Sequence, residues 1–255
     1  MTWDPQQYLR FSNARTRPAI DLLNRIETAD PRVVYDLGCG AGNITLLLRE
    51  RWPNARIIGL DDSQEMLAQA AKRSKAIEWS LQSVAAWRPA DPADVIFSNA
   101  ALHWLPNHSS LLPRLAGGLN PNGTLAVQMP RNFAAPSHTA ITETVLDGPW
   151  REQLEPLINA SPVARPEDYF DYLQEHAATI DIWETEYLHV LEGEDPVKEW
   201  TKGTWLKRFL DALDEPERSE FERNYAQRLK LAYPARADGR TLFPFRRLFV
   251  VMRKK

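Results

Sequence analysis

The chain has 255 residues, and its 31 basic and 34 acidic residues give a formal net charge of −3. This balance argues against bulk electrostatic binding to nucleic acid, and a composition of 44% hydrophobic and 25% charged residues is typical of a globular protein. No apolar run approaches the roughly 20 residues of a membrane helix, and no signal-peptide pattern opens the sequence. Because Cys39 is the single cysteine, we expect a cytoplasmic protein without an intramolecular disulfide and without nucleic-acid or membrane partners.

The first 130 residues alternate between strand and helix patterns. Short apolar runs predict strands, and apolar residues spaced three or four apart predict helices. The predicted helices cover 18–26, 43–52, 64–75 and 110–117, and the predicted strands cover 33–37, 55–60, 77–81, 93–98 and 124–128. A turn is predicted at 119–123. This alternation favours parallel pairing with right-handed crossovers, hence an α/β fold with a doubly wound sheet.

The second half of the chain is predicted to complete the sheet and to cover it. Segments 181–191 and 245–252 predict two further strands, giving a mostly parallel sheet of seven strands. Two helical inserts, about 131–178 and 193–243, form a cap, with Trp200 and Trp205 as cap core. We expect one domain over 1–255, with a core of about 30–130 plus strands near 180–191 and 245–253. The histidines outside the candidate site are predicted to face solvent or cap helices: His108, His138, His176 and His189.

A glycine-rich loop follows the first predicted strand and opens the next helix. Residues 36–43 read Asp-Leu-Gly-Cys-Gly-Ala-Gly-Asn. Glycines permit a sharp turn and close approach of a ligand, and the helix start offers free N–H groups and a positive dipole end. Asp61 ends the next predicted strand, where a carboxylate can accept hydrogen bonds from both hydroxyls of a ribose. Loop and acid together predict an adenosine-containing ligand at the carboxyl edge of the sheet; the alternative is an ordinary tight turn.

The spacing within the loop distinguishes between nucleotide-binding motifs. A dinucleotide fingerprint requires Gly or Ala at the sixth position from Gly38, where Asn43 stands. A P-loop requires a Gly-Lys-Ser/Thr run, which the loop does not contain. The remaining Asp-x-Gly-x-Gly-x-Gly pattern resembles motif I of the class I S-adenosylmethionine-dependent methyltransferases. The resemblance implies a Rossmann-like fold and S-adenosyl-L-methionine as the cofactor.

The same resemblance implies which residues bind the methionine and ribose parts of the cofactor. Asp36, Gly38 and Gly40 match the loop that lies against the methionine part, and Asp36 usually reaches the cofactor amino group through water or backbone. Asp61 matches the acid that holds the ribose. Asn99, at the end of the fourth predicted strand, is expected beside the methionine part as well.

Two further positions concern the adenine ring. Met66 matches an apolar contact to the face of the adenine, although a core methionine is the alternative interpretation. Ser83 stands where the family often has an acid near the adenine amino group. This departure leaves the adenine contact to Ser83 or to the backbone that follows it.

Matches beyond the cofactor motif resemble one subfamily, the trans-aconitate 2-methyltransferases. They extend over nearly the whole chain, at 4–19, 99–105, 119–121, 125–130, 136–138, 181–183 and 247–249. His103 and Arg246 depart from the pattern, in which Gln and Pro are expected. The resemblance implies methyl transfer to a carboxylate of trans-aconitate or a related small polycarboxylate, giving a monomethyl ester. Alternatives are a malonyl-thioester carboxyl O-methyltransferase, another small-molecule methyltransferase, a cofactor-binding regulator and, more distantly, a Rossmann dehydrogenase.

An acid acceptor requires little catalytic machinery. A carboxylate with a pKa near 4 is already ionised at neutral pH, so no general base is needed and catalysis reduces to alignment in a site that excludes water. We therefore expect no catalytic triad and no metal site, and the sequence contains no Cys/His cluster at zinc spacing. His103 and Trp104, beside the reactive methyl group in the family, are expected to orient the reactants.

A polyanionic acceptor also needs cationic or donor groups. Arginine pairs with carboxylates in a bidentate manner, although a single arginine is more often a solvated surface residue than a ligand. The residues predicted to bind the substrate are Arg15, His103, Trp104, Arg131 and Arg246, ahead of Arg17 and Arg247. Tyr8 and Phe11 could form a lid over the cofactor or pack against the first helix.

Overall fold

Helices and strands alternate through the first half of the chain, as predicted. The computed structural model describes residues 12–159 and 161–255, with side chains in the first helix described from Thr16 onward. The elements are α1 (Ser12–Asn24), β1 (Val33–Leu37), α2 (Asn43–Arg51), β2 (Arg56–Asp61), α3 (Gln64–Arg73), β3 (Glu78–Leu81), β4 (Ala93–Asn99), a 3₁₀ turn (Leu102–Trp104), α4 (His108–Gly117) and β5 (Leu119–Pro130). Tyr8 and Phe11, the candidates for a lid, lie outside the described residues.

The second half adds mostly helices and two long strands. The elements are α5 (Pro136–Asp147), α6 (Arg151–Leu154), a 3₁₀ turn (Glu155–Leu157), α7 (Pro166–Leu173), β6 (Ala177–Leu191), α8 (Pro196–Lys202), α9 (Lys207–Leu210), α10 (Glu217–Ala232) and β7 (Thr241–Lys254). Both late strands were predicted, and each extends beyond its predicted range. No described helix is both long enough and apolar enough to cross a bilayer.

Seven strands form one sheet in the order β3-β2-β1-β4-β5-β7-β6, which confirms the predicted doubly wound, seven-stranded architecture. Strands β1 to β5 pair in parallel, and β7 runs antiparallel to β5. From β1 the chain order runs through β2 to β3 on one side of the sheet, and from β4 to β5 on the other. The strand order therefore reverses between the neighbouring strands β1 and β4. In open α/β sheets, ligands bind outside the carboxyl ends of the strands at this kind of reversal.

The central strand β4 shows why these segments become strands. Val95, Ile96, Phe97 and Ser98 are all fully buried, as expected for a strand covered on both faces. The Ser98 hydroxyl donates to the carbonyl oxygen of Leu37 at 2.9 Å. This bond satisfies the one polar side chain of the run and ties β4 to the end of β1.

The segment predicted as a turn at 119–123 is part of β5. Leu119 pairs with Ala93, whereas Thr124 pairs with Val95, so the register shifts between these two pairs. The intervening Asn-Pro-Asn-Gly residues are therefore an irregularity within the strand. Proline and glycine are typical of such sites because neither supports a regular ladder.

The chain forms two compact units. The sheet unit comprises Arg15–Pro130, Pro162–Thr185 and Arg247–Lys255, and the described part of the helical unit lies within Arg131–Ser161 and Glu186–Arg246. The insert predicted over 131–178 is thus divided, because its last helix, α7, belongs to the sheet unit. The strand β6 also begins inside that predicted insert.

The helical unit has its own aromatic core. Trp150, Trp200, Phe209, Phe221 and Tyr225 are at most 2% exposed, and the rings of Trp150 and Phe221 meet edge to face with centroids 5.2 Å apart. Aromatic pairs in this geometry add to the energy gained by burial. The prediction that Trp200 is a core residue is confirmed.

Two of the histidines predicted to face solvent are buried, so that prediction was wrong for them. His108 Nδ1 lies 2.6 Å from the Tyr169 hydroxyl and its Nε2 lies 2.9 Å from the Leu102 carbonyl oxygen. Burial lowers the pKa of His108. His189 is buried against the Trp200 ring, with centroids 4.6 Å apart. Because both ring nitrogens of His108 have hydrogen-bond partners, burying its neutral imidazole costs little.

Replacing Phe97 tests the dependence of the sheet on β4. Phe97→Ala should destabilise the protein by about 3–5 kcal/mol, because the ring is fully buried and the cavity cannot close. Urea unfolding followed by tryptophan fluorescence measures the loss. Leu81→Ala is the control, since Leu81 is 52% exposed and its removal should change stability by less than about 0.5 kcal/mol. Equal effects of the two substitutions would contradict the assignment of β4 as the centre of the core.

Candidate active site

The glycine loop after β1 is fixed to the end of β2 by backbone hydrogen bonds. The N–H groups of Gly38 and Cys39 both donate to the carbonyl oxygen of Leu60, at 2.8 and 2.9 Å. Gly42 N–H closes the turn on the Cys39 carbonyl at 3.0 Å. The loop is therefore held in one conformation at the carboxyl edge of the sheet, directly before helix α2.

The three glycines of the loop are required for different reasons. All have positive φ angles, +73° for Gly38, +55° for Gly40 and +79° for Gly42. A Cβ on Gly38 would lie 2.2 Å from the Cβ of Ala101, and one on Gly42 would lie 2.6 Å from the Trp79 ring. A Cβ on Gly40 would meet no atom within 4 Å. Gly38 and Gly42 thus permit packing inside the protein, whereas Gly40 borders open space that a ligand can enter.

The Asp61 carboxylate is held by the loop that precedes it in the site. Its Oδ2 accepts the Gly40 N–H at 2.8 Å and its Oδ1 accepts the Ser63 N–H at 2.9 Å. Partial burial raises the pKa of Asp61, and these two backbone hydrogen bonds oppose the increase. Each carboxylate oxygen retains a second lone pair, so both can accept hydroxyl groups such as those of a ribose.

Asp36 is a second carboxyl group beside the loop, and it is deeply buried. Its side chain is 2% exposed, and its Oδ2 accepts the Thr45 hydroxyl at 2.7 Å. Burial raises the pKa of Asp36 to about 7; the Thr45 hydrogen bond lowers it, and the charge of Asp61 raises it further. Two acidic groups in one buried place favour a ligand that carries positive charge. Thr45 gave no signal in the sequence analysis.

The tip of β4 presents an acceptor that suits a donor on the ligand. Asn99 Oδ1 is buried, and no donor among the described residues reaches it. The next residue, Ala100, has a φ of +53°, a strained conformation for a non-glycine residue and one that is enriched at functional sites. The amino group of S-adenosylmethionine is a donor of the kind that this orphaned oxygen requires. The residues of this edge thus fit the cofactor.

The two residues predicted to reach the adenine occupy different environments. Met66 is buried on the inner face of α3. Ser63, the N-cap residue just before this helix, accepts the Met66 N–H through its hydroxyl oxygen. Ser83 is exposed in the segment after β3, and its hydroxyl accepts the Ala85 N–H at 3.3 Å. Their contacts with adenine remain predictions.

His103 and Trp104 lie together in the 3₁₀ turn that follows β4. His103 is 7% exposed and Trp104 is 46% exposed, with ring centroids 4.6 Å apart. Because Ala101 touches the glycine loop at Gly38, this turn lies beside the candidate cofactor site. A half-exposed tryptophan next to such a site can cover a bound molecule.

The arginines predicted to bind substrate are in different settings. Arg131 N–H donates to the Arg246 carbonyl oxygen at 2.9 Å, so these two residues are neighbours. The Arg246 side chain is half exposed and lies 3.8 Å from a carboxylate oxygen of Glu186. Arg15 lies in α1, and its side chain is outside the described part. Their role in substrate binding stays a prediction.

Arg247, which the sequence analysis ranked behind Arg246, is buried at the same edge of the sheet as Asn99. It is 4% exposed, and one guanidinium N–H donates to the Gln128 amide oxygen at 3.4 Å. Gln128 pairs with Asn99 in the register of β4 and β5. A guanidinium held at this edge is therefore a further candidate for binding an anion.

Comparisons with known proteins agree with this geometry. A family described as a methyltransferase domain matches residues 34–123. Curated proteins named trans-aconitate 2-methyltransferase from Azoarcus sp. (strain BH72) and Rhodopseudomonas palustris (strain BisB18) are each 46% identical over 250 residues, 98% of this chain and 98% of each relative. The crystal structure of the YcgJ protein from Bacillus subtilis shares the fold, with a TM-score of 0.62, 12% identity, and coverage of 94% of this chain and 99% of that one.

The fold and the acid-and-glycine site define an S-adenosylmethionine-dependent methyltransferase, and S-adenosylmethionine is its cofactor. The family can be stated more narrowly, since the relatives match over almost their full length. The chain belongs to the trans-aconitate 2-methyltransferase family. Among the described residues, no group of His, Cys, Asp and Glu side chains is arranged to hold a metal ion.

Single substitutions in the loop should separate ligand binding from folding. Gly40→Ala should weaken binding of S-adenosylhomocysteine at least ten-fold, because the new methyl group enters the open space, with a stability loss of only about 1 kcal/mol from strain at positive φ. Gly38→Ala should cost more stability, because its Cβ overlaps that of Ala101. Calorimetric binding and thermal melting of both variants measure the two effects. The assignment of Gly40 to the ligand side fails if Gly40→Ala binds like the wild type.

Asp36 should give the stability of the cofactor-free protein a distinctive pH dependence. The pKa of Asp36 is about 7 in the folded protein and 3.8 in the unfolded chain. The protonated side chain therefore makes its full contribution to the free energy of unfolding below pH 4, and this contribution is lost as the pH rises to 7. Asp36→Asn should remove this loss, and its stability relative to the wild type should improve by on the order of 4 kcal/mol between pH 4 and pH 8. Denaturant unfolding across this range measures the difference. Asp62→Asn, at an exposed position, is the control and should retain the wild-type profile; parallel profiles for all three proteins would contradict the account.

Proposed function

We propose that the chain transfers the methyl group of S-adenosylmethionine to a carboxylate of trans-aconitate or a related small polycarboxylate, giving a monomethyl ester. The observation that carries the proposal is the near full-length similarity to proteins named for that reaction, 46% identity over 98% of both chains. The candidate site supports it because the described residues there comprise binding and orienting groups with no nucleophile–base pair. The single cysteine, Cys39, is buried, and burial raises the pKa of its thiol, so it is not a nucleophile.

The chemistry requires orientation more than proton transfer. When bound, S-adenosylmethionine supplies an electrophilic methyl carbon on a positively charged sulfur. The acceptor carboxylate, with a pKa near 4, is ionised at neutral pH and needs no base. Asp61 fixes the ribose by accepting its hydroxyls, and the loop at Gly40 and the Asn99 amide position the methionine part. A fixed alignment of this kind lowers the barrier by removing translational and rotational freedom before the reaction.

The acceptor needs cationic partners that leave one carboxylate oxygen exposed to the methyl carbon. Arg247 is buried at the sheet edge, where its guanidinium donates to the Gln128 amide oxygen. Arg131 and Arg246, which hydrogen-bond to each other through their backbones, are further candidates. His103 and Trp104 flank this edge and reduce access of water. A low local dielectric constant strengthens the pairing of an arginine with a carboxylate.

Incubating the protein with isotope-labelled S-adenosylmethionine and a panel of di- and tricarboxylates tests the proposal. We expect labelled monomethyl trans-aconitate, identified by mass spectrometry, and no labelled product from the trimethyl ester of the same acid. A malonyl thioester belongs in the panel, because preferential methylation of it would replace trans-aconitate as the acceptor. Saturable binding of the cofactor without any labelled ester from the panel would overturn the proposal and indicate a cofactor-binding regulator.

Two substitutions should separate the cofactor site from the acceptor site. Asp61→Asn should raise the Kd for S-adenosylhomocysteine by about ten- to one-hundred-fold, since it removes charge-assisted hydrogen bonds worth roughly 1.5–3 kcal/mol. Arg247→Lys should raise the KM for the acid about ten-fold and leave the Kd for S-adenosylhomocysteine within two-fold. Arg253→Lys is the control on the same strand, because Arg253 is exposed and bonds only the Asn122 amide among the described residues. If Arg247→Lys changes cofactor affinity and leaves the acid KM unchanged, the acceptor site is misplaced.

A further inference from the structure

The helical unit contains a cavity of about 280 Å³ that the cofactor site does not use. Its volume is close to the lower end of the ~300–1,000 Å³ that small-molecule pockets span. Phe133, His138, Trp205 and Arg208 form its walls, with polar side chains from Asn159 and Ser161 at the rim. None of the described lining residues is acidic. The cavity is therefore aromatic on its sides and cationic, a character that suits a small anion.

Arg208 is a partly buried cation that has no carboxylate partner among the described residues. Its Nε is buried and has no hydrogen-bond acceptor, and desolvation alone lowers the pKa of the guanidinium, with no carboxylate opposing it. The adjacent Lys207, by contrast, pairs with Asp211 at 2.8 Å. A buried guanidinium N–H without an acceptor is costly, and a ligand carboxylate would satisfy it.

The Arg208 guanidinium lies over an aromatic ring of the cavity wall. The guanidinium carbon lies 3.8 Å from the centroid of the Trp205 ring, a distance typical of stacking of the cation on an aromatic face. Stacking holds the plane of the guanidinium, and its N–H groups then point along that plane. This is the geometry in which arginine binds a carboxylate through two parallel hydrogen bonds.

His138 is a second titratable side chain in the wall of the cavity, near Arg208. It lies against both Phe133 and Trp205, with ring centroids 5.3 and 6.1 Å away, and the Ser137 hydroxyl is 3.1 Å from its Nδ1. Burial, and then the charge of Arg208, lower the pKa of His138 to about 4. At neutral pH, His138 is thus an uncharged group that can donate to or accept from a ligand. It was predicted to face solvent or cap a helix, and its position in the cavity wall shows that prediction to be wrong.

We infer that this cavity is a binding site for a small carboxylate anion, with the Arg208 guanidinium as its cationic partner and the Trp205 ring as its support. The inference goes beyond the proposed reaction, because it does not depend on which acid is methylated. The same chemistry accommodates two sources: the acceptor acid itself, or a separate small acid that binds without being methylated.

His138 provides a readout of occupancy that does not require activity. A carboxylate bound at Arg208 offsets the positive charge beside the imidazole, so the pKa of His138 should rise by one unit or more. Long-range ¹H–¹⁵N NMR of the five histidines measures this, with His138 assigned from a His138→Gln variant. The probes are trans-aconitate, propane-1,2,3-tricarboxylate and succinate, and the trimethyl ester of trans-aconitate is the neutral control of similar shape.

Arginine variants test the partner directly. Arg208→Met should weaken binding of whichever acid raises the pKa of His138 by about ten- to one-hundred-fold, and should abolish that acid-dependent rise. Arg208→Lys keeps the charge without the planar fork and should bind with intermediate affinity. Arg223→Met is the matched control, because Arg223 is exposed on α10 of the same unit and its removal should leave binding and the His138 shift unchanged.

The outcomes separate this inference from the proposed function. A His138 shift with trans-aconitate, lost in Arg208→Met together with a raised KM for the acid, identifies the acceptor as the occupant. A shift with another acid of the panel, and an unchanged KM, identifies a separate ligand. If no acid of the panel moves the His138 titration in the wild type, the inference is wrong even where ester formation is normal. If acids bind in the cavity and no ester forms, the proposed function fails and the cavity site stands.

Discussion

The candidate site depends on one carboxylate that joins two strands. Asp61, at the end of β2, accepts N–H groups from Gly40 of the preceding loop and from Ser63 of the following helix. The neighbouring Leu60 carbonyl accepts two more N–H groups from the same loop. Because Asp61, the candidate ribose acid, is itself part of this backbone network, its position is set by the register of β1 and β2. The side chain is therefore preorganised, and little conformational freedom is lost when a ligand binds.

Small residues allow the neighbouring elements at this edge of the sheet to pack closely against the glycine loop and β2. Gly38 and Ala101 approach so closely that no side chain fits between them, and Gly59 leaves room for the Trp79 ring. Trp79 is fixed in turn, because its Nε1–H donates to the Ser74 carbonyl at 3.0 Å. The loop after β1 thus packs against the fixed Trp79 ring through Gly42 and against Ala101, just after β4, through Gly38. Rigid support of this kind holds binding groups within the small tolerance that alignment of reactants demands.

The features that could be predicted from the sequence depend on local spacing. Glycines between a strand and a helix, followed by an acid one strand later, predict both the fold and the cofactor site without knowledge of tertiary contacts. The features that could not be predicted depend on which face of an element is buried. Arg246 and Arg247 are neighbours on one strand, so they point to opposite faces, and only the folded structure shows that Arg247 is buried and Arg246 is half exposed. Likewise, Lys207 and Arg208 are adjacent in the sequence, yet in the part of the chain that the structure describes only Lys207 has a carboxylate partner.

The charges of Asp36 and Asp61 also affect how strongly the site attracts the charged and the neutral form of the cofactor. Asp36 is buried and Asp61 is partly buried. Burial and the charge of Asp61 both raise the pKa of Asp36, so the site is strained electrostatically until positive charge enters it. A ligand with a sulfonium group relieves this strain, whereas the product, whose sulfur is neutral, relieves less of it. The attraction that these carboxylates exert therefore decreases once the methyl group has left. Two acidic groups at one site thus favour a cationic ligand over a neutral ligand of the same shape.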